Sequence, residues 1–151
     1  MARGQFYGLR HSTGAAIGKI AIKTYVCRGC GLQHSGDKPD VCKACGRLDF
    51  TKFDSRYEAQ RWGELELKRK VGLISDLRTQ VWFDLLAPGP NGMAAKVASY
   101  VADFVYIREG VEIIEDAKGA ITDVAKLKLK WMAAMGRPVT IVTKAGHNNG
   151  F

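Results

Sequence analysis

The sequence predicts an α/β domain with a central mixed sheet flanked by helices, preceded by a small cysteine-rich unit. The chain has 151 residues, of which 46% are hydrophobic, and this is enough for one domain with its own core. Its apolar pattern runs in the order helix, three strands, helix, strand, which is typical of mixed α/β architectures. We place a basic N-terminal arm and the cysteine-rich unit in residues 1–50, and the α/β core in residues 51–151.

The first helix is predicted from about Ser55 to Lys70. Ser55 and Glu58 have the spacing of a capping box, and Gly72 follows a basic last turn. Glu58 also precedes Trp62 and Leu65 by four and seven residues, which places it on the inward, apolar face of the helix. Because an inward carboxylate usually has a partner, we expect Glu58 to have a role beyond solvation.

Three strands are predicted from Leu73 to Leu86, from Val101 to Ile107 and from Val111 to Ala117. Residues 87–96 are predicted to form a turn-rich connection between the first two strands. The last two strands flank Arg108-Glu109-Gly110, a short break containing glycine, and therefore form a predicted hairpin.

A second helix is predicted from Thr122 to Met135. Its apolar residues at helical spacing form a predicted core stripe, namely Val124, Leu127, Trp131 and Met135. A last short strand follows from Val139 to Val142.

Acidic side chains occur in the hairpin where apolar residues are expected. Side chains alternate faces along a strand, so Asp116 and Lys118 project together, and pairing of the strands brings Asp103 beside Asp116. Two carboxylates and one amine then converge. Hard oxygen ligands of this kind suit Mg²⁺ or Mn²⁺, and a neighbouring lysine can orient or deprotonate a water for attack on phosphorus. For Asp103 or Glu115 taken singly, a solvated sheet face is the simpler alternative.

The order Asp103, then Asp116-Ala117-Lys118, resembles the Asp…(Asp/Glu)-x-Lys signature of the PD-(D/E)xK nuclease superfamily. The likeness covers roughly residues 53–142, includes FDSRYEAQRW, YVADFVY and EDAKG, and is similar to a group of small phage-encoded members. Ala102 stands where the superfamily signature has proline. The resemblance implies a restriction-endonuclease-like core in which Asp103 and Asp116 hold a catalytic Mg²⁺ or Mn²⁺ and Lys118 acts on the attacking water.

The same resemblance implies roles for two further side chains. The first core helix of the superfamily often supplies an acid to the metal site, which makes Glu58 a candidate alongside its capping role. Gln80 is expected to approach the site, although a surface or cross-strand amide is the commoner fate of such a residue. Whether Glu115 replaces Asp116 or Glu58 as a metal ligand is left open.

Four cysteines form two CxxC pairs, each followed by a glycine. Thiolates at this spacing can surround one tetrahedral Zn²⁺, and Gly31 and Gly46 supply the permissive backbone of each knuckle. Two disulfides are an alternative that a cytosolic location disfavours, and a redox-active CxxC is another, which would not need a duplicate. We therefore predict a structural zinc ribbon without His34, whose ligands are Cys27, Cys30, Cys42 and Cys45.

The formal net charge of +8 favours a polyanionic partner, and +5 of it lies in the first 50 residues. Basic residues there alternate with Phe6, Tyr7 and Tyr25, a pattern that predicts a nucleic-acid-binding arm, with a merely mobile terminus as the alternative. Three lysines of the second helix are further candidates for phosphate contacts. The predicted nucleic-acid-binding residues are Arg3, Arg10, Lys19, Lys23, Lys126, Lys128 and Lys130.

Together these features predict a metal-dependent DNA endonuclease, with branched DNA such as a Holliday junction as the favoured substrate by analogy. The alternative from a different class is a non-catalytic zinc-ribbon protein that binds nucleic acid or a polymerase. No apolar run is long enough to span a membrane and no signal peptide is evident, so we expect a cytoplasmic protein, in a host cell if it is phage-encoded. A homodimer is compatible with the sequence.

Overall fold

Three short strands form a small antiparallel sheet at the start of the computed structural model, which describes residues 22–118, 120–144 and 146–148. The strands are β1 (Thr24–Cys27), β2 (Gln33–Ser35) and β3 (Phe50–Phe53), with β1 in the middle. Val26 of β1 and Phe53 of β3 are buried in one apolar cluster with the first helix. The small sheet thus packs on the core, and the predicted boundary after residue 50 crosses β3.

The first helix, α1, spans Arg56–Lys70 and begins with the predicted capping box. Ser55 Oγ accepts a hydrogen bond from Glu58 N at 3.1 Å, and the Glu58 carboxylate accepts one from Ser55 Oγ at 2.9 Å and one from Asp54 N at 3.1 Å. These bonds satisfy donors that the helix N-terminus leaves free. The capping role of Glu58 is confirmed.

Gly63 lies in the middle of α1, where glycine is about 1 kcal/mol less favourable than alanine. Apart from its chain neighbours and the backbone of its own helix, a Cβ atom built on Gly63 meets no atom within 4 Å, and the φ of Gly63 is not positive. No neighbour among the described residues therefore requires glycine at this position.

A five-stranded sheet follows, in the spatial order β4-β5-β6-β7-β8. Its strands are β4 (Ser75–Pro88), β5 (Ala94–Arg108), β6 (Val111–Ala117), β7 (Val139–Thr143) and β8 (Gly146–Asn148). The β6–β7 pair is parallel, whereas the other three neighbouring pairs are antiparallel. The predicted mixed sheet is confirmed, and β8 is a strand that the sequence did not predict.

Strand β4 is as long as predicted but begins and ends two residues later, whereas β5 is longer than predicted. Residues 87–96 read as a turn-rich connection, yet β4 continues to Pro88 and β5 starts at Ala94. A short 3₁₀ turn over Pro90–Gly92 is enough to join them. The β5–β6 hairpin matches its prediction, because Glu109 and Gly110 have φ values of 52° and 78°, as a tight two-residue turn requires.

The second helix, α2, spans Asp123–Ala134 and links the parallel strands β6 and β7. Its predicted core stripe is wrong in part, because Val124 and Leu127 are 65% and 61% exposed while Leu129 and Met132 are buried. Apolar residues surround most of this helix, so their spacing alone did not determine which face meets the sheet. Trp131 and Met135 do pack against the core, as predicted.

Strands β4 and β5 change the face that they bury near their midpoints. Leu77 of β4 and Phe104 of β5 pack on the α1 side, whereas Val81 and Ala102 pack on the α2 side. The change in β4 occurs at Gln80, whose φ of 52° is unusual for a residue other than glycine. Irregular strands of this kind redirect side chains and are common next to functional sites.

Candidate functional site

Asp103 of β5 and Asp116 of β6 face each other across the antiparallel ladder. Pairing of Phe104 with Glu115 brings them together, and Ala117 N donates a hydrogen bond to Asp103 Oδ2 at 2.9 Å. Both carboxyl groups are buried, with residue exposures of 8% and 0%. Burial raises the pKa of Asp103 to about 8, and the hydrogen bond and charge of Asp116 act in the same direction. Burial and the neighbouring acid therefore favour the protonated form of Asp103, and a bound cation would favour its ionised form.

Tyr100 and Lys118 both contact Asp116. The Tyr100 hydroxyl donates a hydrogen bond to Asp116 Oδ2, and Lys118 Nζ lies 3.0 Å from Asp116 Oδ1. Burial opposes the charged form of Lys118, but Asp116, Asp103 and Glu58 together raise its pKa. Lys118 is thus a cationic donor beside the acid pair. The structure brings together three of the four predicted catalytic residues, Asp103, Asp116 and Lys118.

Gln80 also reaches the acid pair. Its Nε2 donates a hydrogen bond to Asp103 Oδ1 at 3.3 Å, so the expectation that Gln80 approaches the site is confirmed. The left-handed backbone of Gln80 carries a strain of about 1 kcal/mol or more, and strain of this kind is often found at functional sites. Tyr100 was not identified from the sequence. A tyrosine in a buried strand position three residues before Asp103 was the available signal, because a buried hydroxyl needs a partner.

Glu58 lies near the acid pair but its carboxylate is occupied at the helix N-terminus. Its charge raises the pKa values of both Asp103 and Lys118, which places it within electrostatic range. Burial raises the pKa of Glu58 itself. Among the described residues, however, only the four cysteines form a group of three or more metal-binding side chains with ligand atoms within 4.8 Å of one another. A role for Glu58 at the acid pair therefore stays a prediction.

Glu115 belongs to a different environment, on the α1 side of the sheet. Its two carboxylate oxygens accept hydrogen bonds from Arg61 Nε at 2.6 Å and from the second terminal nitrogen of Arg61 at 2.9 Å. Tyr106 donates a third, at 2.9 Å. The residue is fully buried. Glu115 is thus engaged in a buried ion pair that ties α1 to β6, and Asp116 is the acid that faces Asp103.

The four cysteine sulfurs form a compact cluster, with all pairs within 4.8 Å. Cys27 and Cys45 sulfurs are 3.5 Å apart, as are those of Cys30 and Cys42. A tetrahedral zinc with metal–sulfur distances of about 2.3 Å places its sulfurs about 3.8 Å apart, so the cluster is compatible with structural zinc. All four cysteines are free of disulfides.

Glycines complete both cysteine knuckles. Gly31 N donates to Cys27 O at 2.9 Å and Gly46 N donates to Cys42 O at 2.8 Å, with φ values of 79° and 72°. These left-handed conformations favour glycine. His34, in β2, is not part of the cluster. Its ring instead lies edge-on to the ring of Phe50 in β3, with ring centroids 5.5 Å apart.

The structure describes only some of the predicted nucleic-acid-binding residues. Arg3, Arg10 and Lys19 lie outside the described residues, and Lys23 is exposed. On α2, Lys126 pairs with Asp123 at 3.0 Å and Lys128 donates to Ser99 O at 2.8 Å, while Lys130 is exposed. The two engaged lysines thus already have protein partners.

Neither α1 nor α2 is long and apolar enough to cross a membrane.

Comparison with known proteins gives one match. A family model described as "Protein of unknown function (DUF1064)" matches residues 45–145. The chain belongs to the DUF1064 family. No curated protein and no solved structure matches it.

The DUF1064 match contains the acid pair with the side chains around it, and only part of the cysteine cluster. Glu58, Gln80 and the three residues Asp103, Asp116 and Lys118 all lie within residues 45–145. Of the cysteines, Cys45 alone lies within the match. The residues around the acid pair therefore lie within the segment that the family model matches, whereas most of the cysteine cluster precedes it.

Proposed function

We propose that this DUF1064 protein is a divalent-metal-dependent DNA endonuclease with a PD-(D/E)xK site on a restriction-endonuclease-like core. The observation that carries the proposal is the convergence of Asp103, Asp116 and Lys118 on adjacent strands of a mixed sheet. Two buried carboxylates that face each other repel when both are ionised, and a divalent cation would remove this repulsion. The chain order Asp, then Asp-x-Lys, supports the same superfamily.

The proposed chemistry assigns a separate role to each side chain. Asp103 and Asp116 would hold Mg²⁺ or Mn²⁺, which commonly binds to proteins through one or two carboxylates. When bound, the metal neutralises charge on the phosphodiester and lowers the pKa of water. Lys118, cationic and adjacent to Asp116, would orient the attacking water or stabilise the charge on phosphorus. Gln80 and Tyr100 orient the two carboxylates through their hydrogen bonds.

A cleavage assay tests the proposal. Supercoiled plasmid, linear duplex and a four-way DNA junction are incubated with the full chain, with and without added Mg²⁺ or Mn²⁺. We expect cleavage in the presence of metal, with the junction cut in preference to the linear duplex. Binding of DNA without any cleavage under all metal conditions would favour a non-catalytic zinc-ribbon protein instead.

We further propose that the cysteine cluster holds one structural Zn²⁺, because four sulfurs leave no coordination position open for a substrate. Metal analysis should find about one zinc per chain in protein purified without chelators. Cys42→Ser should lose this zinc and lower the thermal unfolding midpoint, because binding free energy contributes to folding. As a control, His34→Ala should retain the zinc, since His34 lies outside the cluster. Full zinc content in Cys42→Ser would contradict the assignment.

A further inference from the structure

A groove of about 790 Å³ lies between the first cysteine knuckle, α1 and β4, and we call it the ribbon groove. Gly29 and Gly31 of the knuckle line one side, and Trp62 and Gly63 of α1 line another. Its cationic side chains come from three different elements and are Arg28, Arg69, Lys70 and Arg78. One acid, Glu66, also lines it. The groove is therefore rich in donors for an anion.

The arginines of the ribbon groove are held by ion pairs that an anionic ligand can replace. Arg28 lies 3.7 Å from Asp49, and Arg69 lies 2.9 Å from Glu66. Arg78 contacts both Asp76 and Glu112. All three arginine side chains are more than 40% exposed, and exposed pairs are weak. Lys70 forms no ion pair with another described residue and is free to bind a phosphate.

Gly63 leaves the backbone of α1 uncovered where the helix lines the ribbon groove. It lowers the stability of α1, and no described residue needs the space that its missing side chain leaves. This space opens into the ribbon groove, because Gly63 is one of its lining residues. A glycine at such a point lets a ligand approach the helix backbone closely.

The ribbon groove is lined by the chain neighbours of two residues that lie near the acid pair. Ala59 and Thr79 line the groove and are the immediate chain neighbours of Glu58 and Gln80. Gln80 in turn donates to Asp103. The groove and the acid pair are thus linked through residues that are adjacent in the chain.

We propose that the ribbon groove binds the sugar-phosphate backbone of a DNA strand on one side of the phosphate to be cut. The choice of DNA as the ligand rests on the proposed nuclease function. Arg28, Lys70 and Arg78 contact phosphates, and the strand passes over Gly63. The cysteine knuckle thereby forms one wall of the binding surface.

Two variants at Gly63 test the groove without changing any charge. Gly63→Ala should raise the thermal unfolding midpoint by a few degrees, because alanine is the better helix former. Gly63→Gln keeps the helix but fills the groove. We expect it to weaken binding of a fluorescent DNA duplex or junction by 10-fold or more in buffer without added divalent metal, with an unfolding midpoint no lower than that of wild type. Wild-type affinity in a folded Gly63→Gln protein would overturn the proposal.

Lysine variants on the same helix supply a matched pair. Lys70→Ala should flatten the slope of log affinity against log salt by about 0.9 for duplex DNA, as expected for one lost phosphate contact. Lys68→Ala removes the same charge from a position that does not line the groove, and its slope should equal that of wild type. Equal slopes for the two variants would show that DNA does not occupy the groove.

Different results would contradict the groove proposal and the nuclease proposal. If wild type binds but never cuts DNA and Gly63→Gln loses binding, the groove proposal is supported and the nuclease proposal is contradicted. If wild type cuts DNA in a metal-dependent way and the affinities of Gly63→Gln and Lys70→Ala are unchanged, the nuclease proposal is supported and the groove proposal is contradicted.

Discussion

Asp116→Asn is expected to lower the rate of metal-dependent DNA cleavage by about 100-fold or more while DNA binding remains. The amide is nearly isosteric and its oxygen can still accept the hydrogen bond from Tyr100, so the fold should persist. What is lost is one of the two charges that would hold the metal, and with it the ion pair to Lys118. Single-turnover cleavage and binding of the same junction substrate measure the two effects separately.

Asp84→Asn is the matched control for this variant. Asp84 lies on β4 of the same sheet, is 54% exposed and pairs only with Lys96 among the ion pairs of the described residues. Its replacement should leave the cleavage rate within a factor of two or so of wild type, since surface substitutions of this kind usually have small effects. Equal cleavage rates for Asp116→Asn and Asp84→Asn would show that Asp116 takes no part in the cleavage reaction.

The second large effect is expected in stability, from Arg61→Met. Arg61 and Glu115 are 5% and 0% exposed, so removing the guanidinium leaves a buried carboxylate without its cation. Breaking a buried pair in this way costs about 3–5 kcal/mol, which corresponds to a fall of about 10 °C in the thermal unfolding midpoint. Adding Glu115→Gln should recover much of the loss, because the neutral amide can still accept the hydrogen bond from Tyr106.

Arg69→Met provides the comparison for an exposed pair on the same helix. Arg69 and Glu66 form a pair at 2.9 Å, but the Arg69 side chain is 46% exposed. We expect a change of no more than about 1 kcal/mol. If thermal unfolding shows the same small change for Arg61→Met and Arg69→Met, the buried pair does not tie α1 to β6 as the structure indicates.

Local patterns in the sequence were sufficient to predict the parts of the site that lie close together along the chain. The CxxC spacing predicted the cysteine cluster, and a tight turn between two strands predicted that Asp103 and Asp116 meet. The capping box at Ser55 and Glu58 is likewise a contact within one helical turn. In each case the residues concerned are joined by a short, regular element whose geometry is known in advance.

Contacts that depend on how distant elements pack could not be predicted in the same way. The hydrogen bond from Tyr100 to Asp116 requires the register of β5, and the pair between Arg61 and Glu115 requires α1 to be placed on the sheet. The buried face of α2 was partly missed because apolar residues occur around most of that helix. The ribbon groove depends on three separate elements, so no short stretch of sequence indicates it.

Anomalous diffraction from crystals of the full chain soaked in Mn²⁺ tests the central claim most directly. The account predicts a manganese peak in contact with carboxylate oxygens of both Asp103 and Asp116, together with a separate zinc peak among the sulfurs of Cys27, Cys30, Cys42 and Cys45. In crystals of Asp116→Asn the manganese peak should disappear and the zinc peak should remain. A zinc peak alone in the wild-type crystals, at Mn²⁺ concentrations that support cleavage by known metal-dependent nucleases, would contradict the assignment of the acid pair as a metal site.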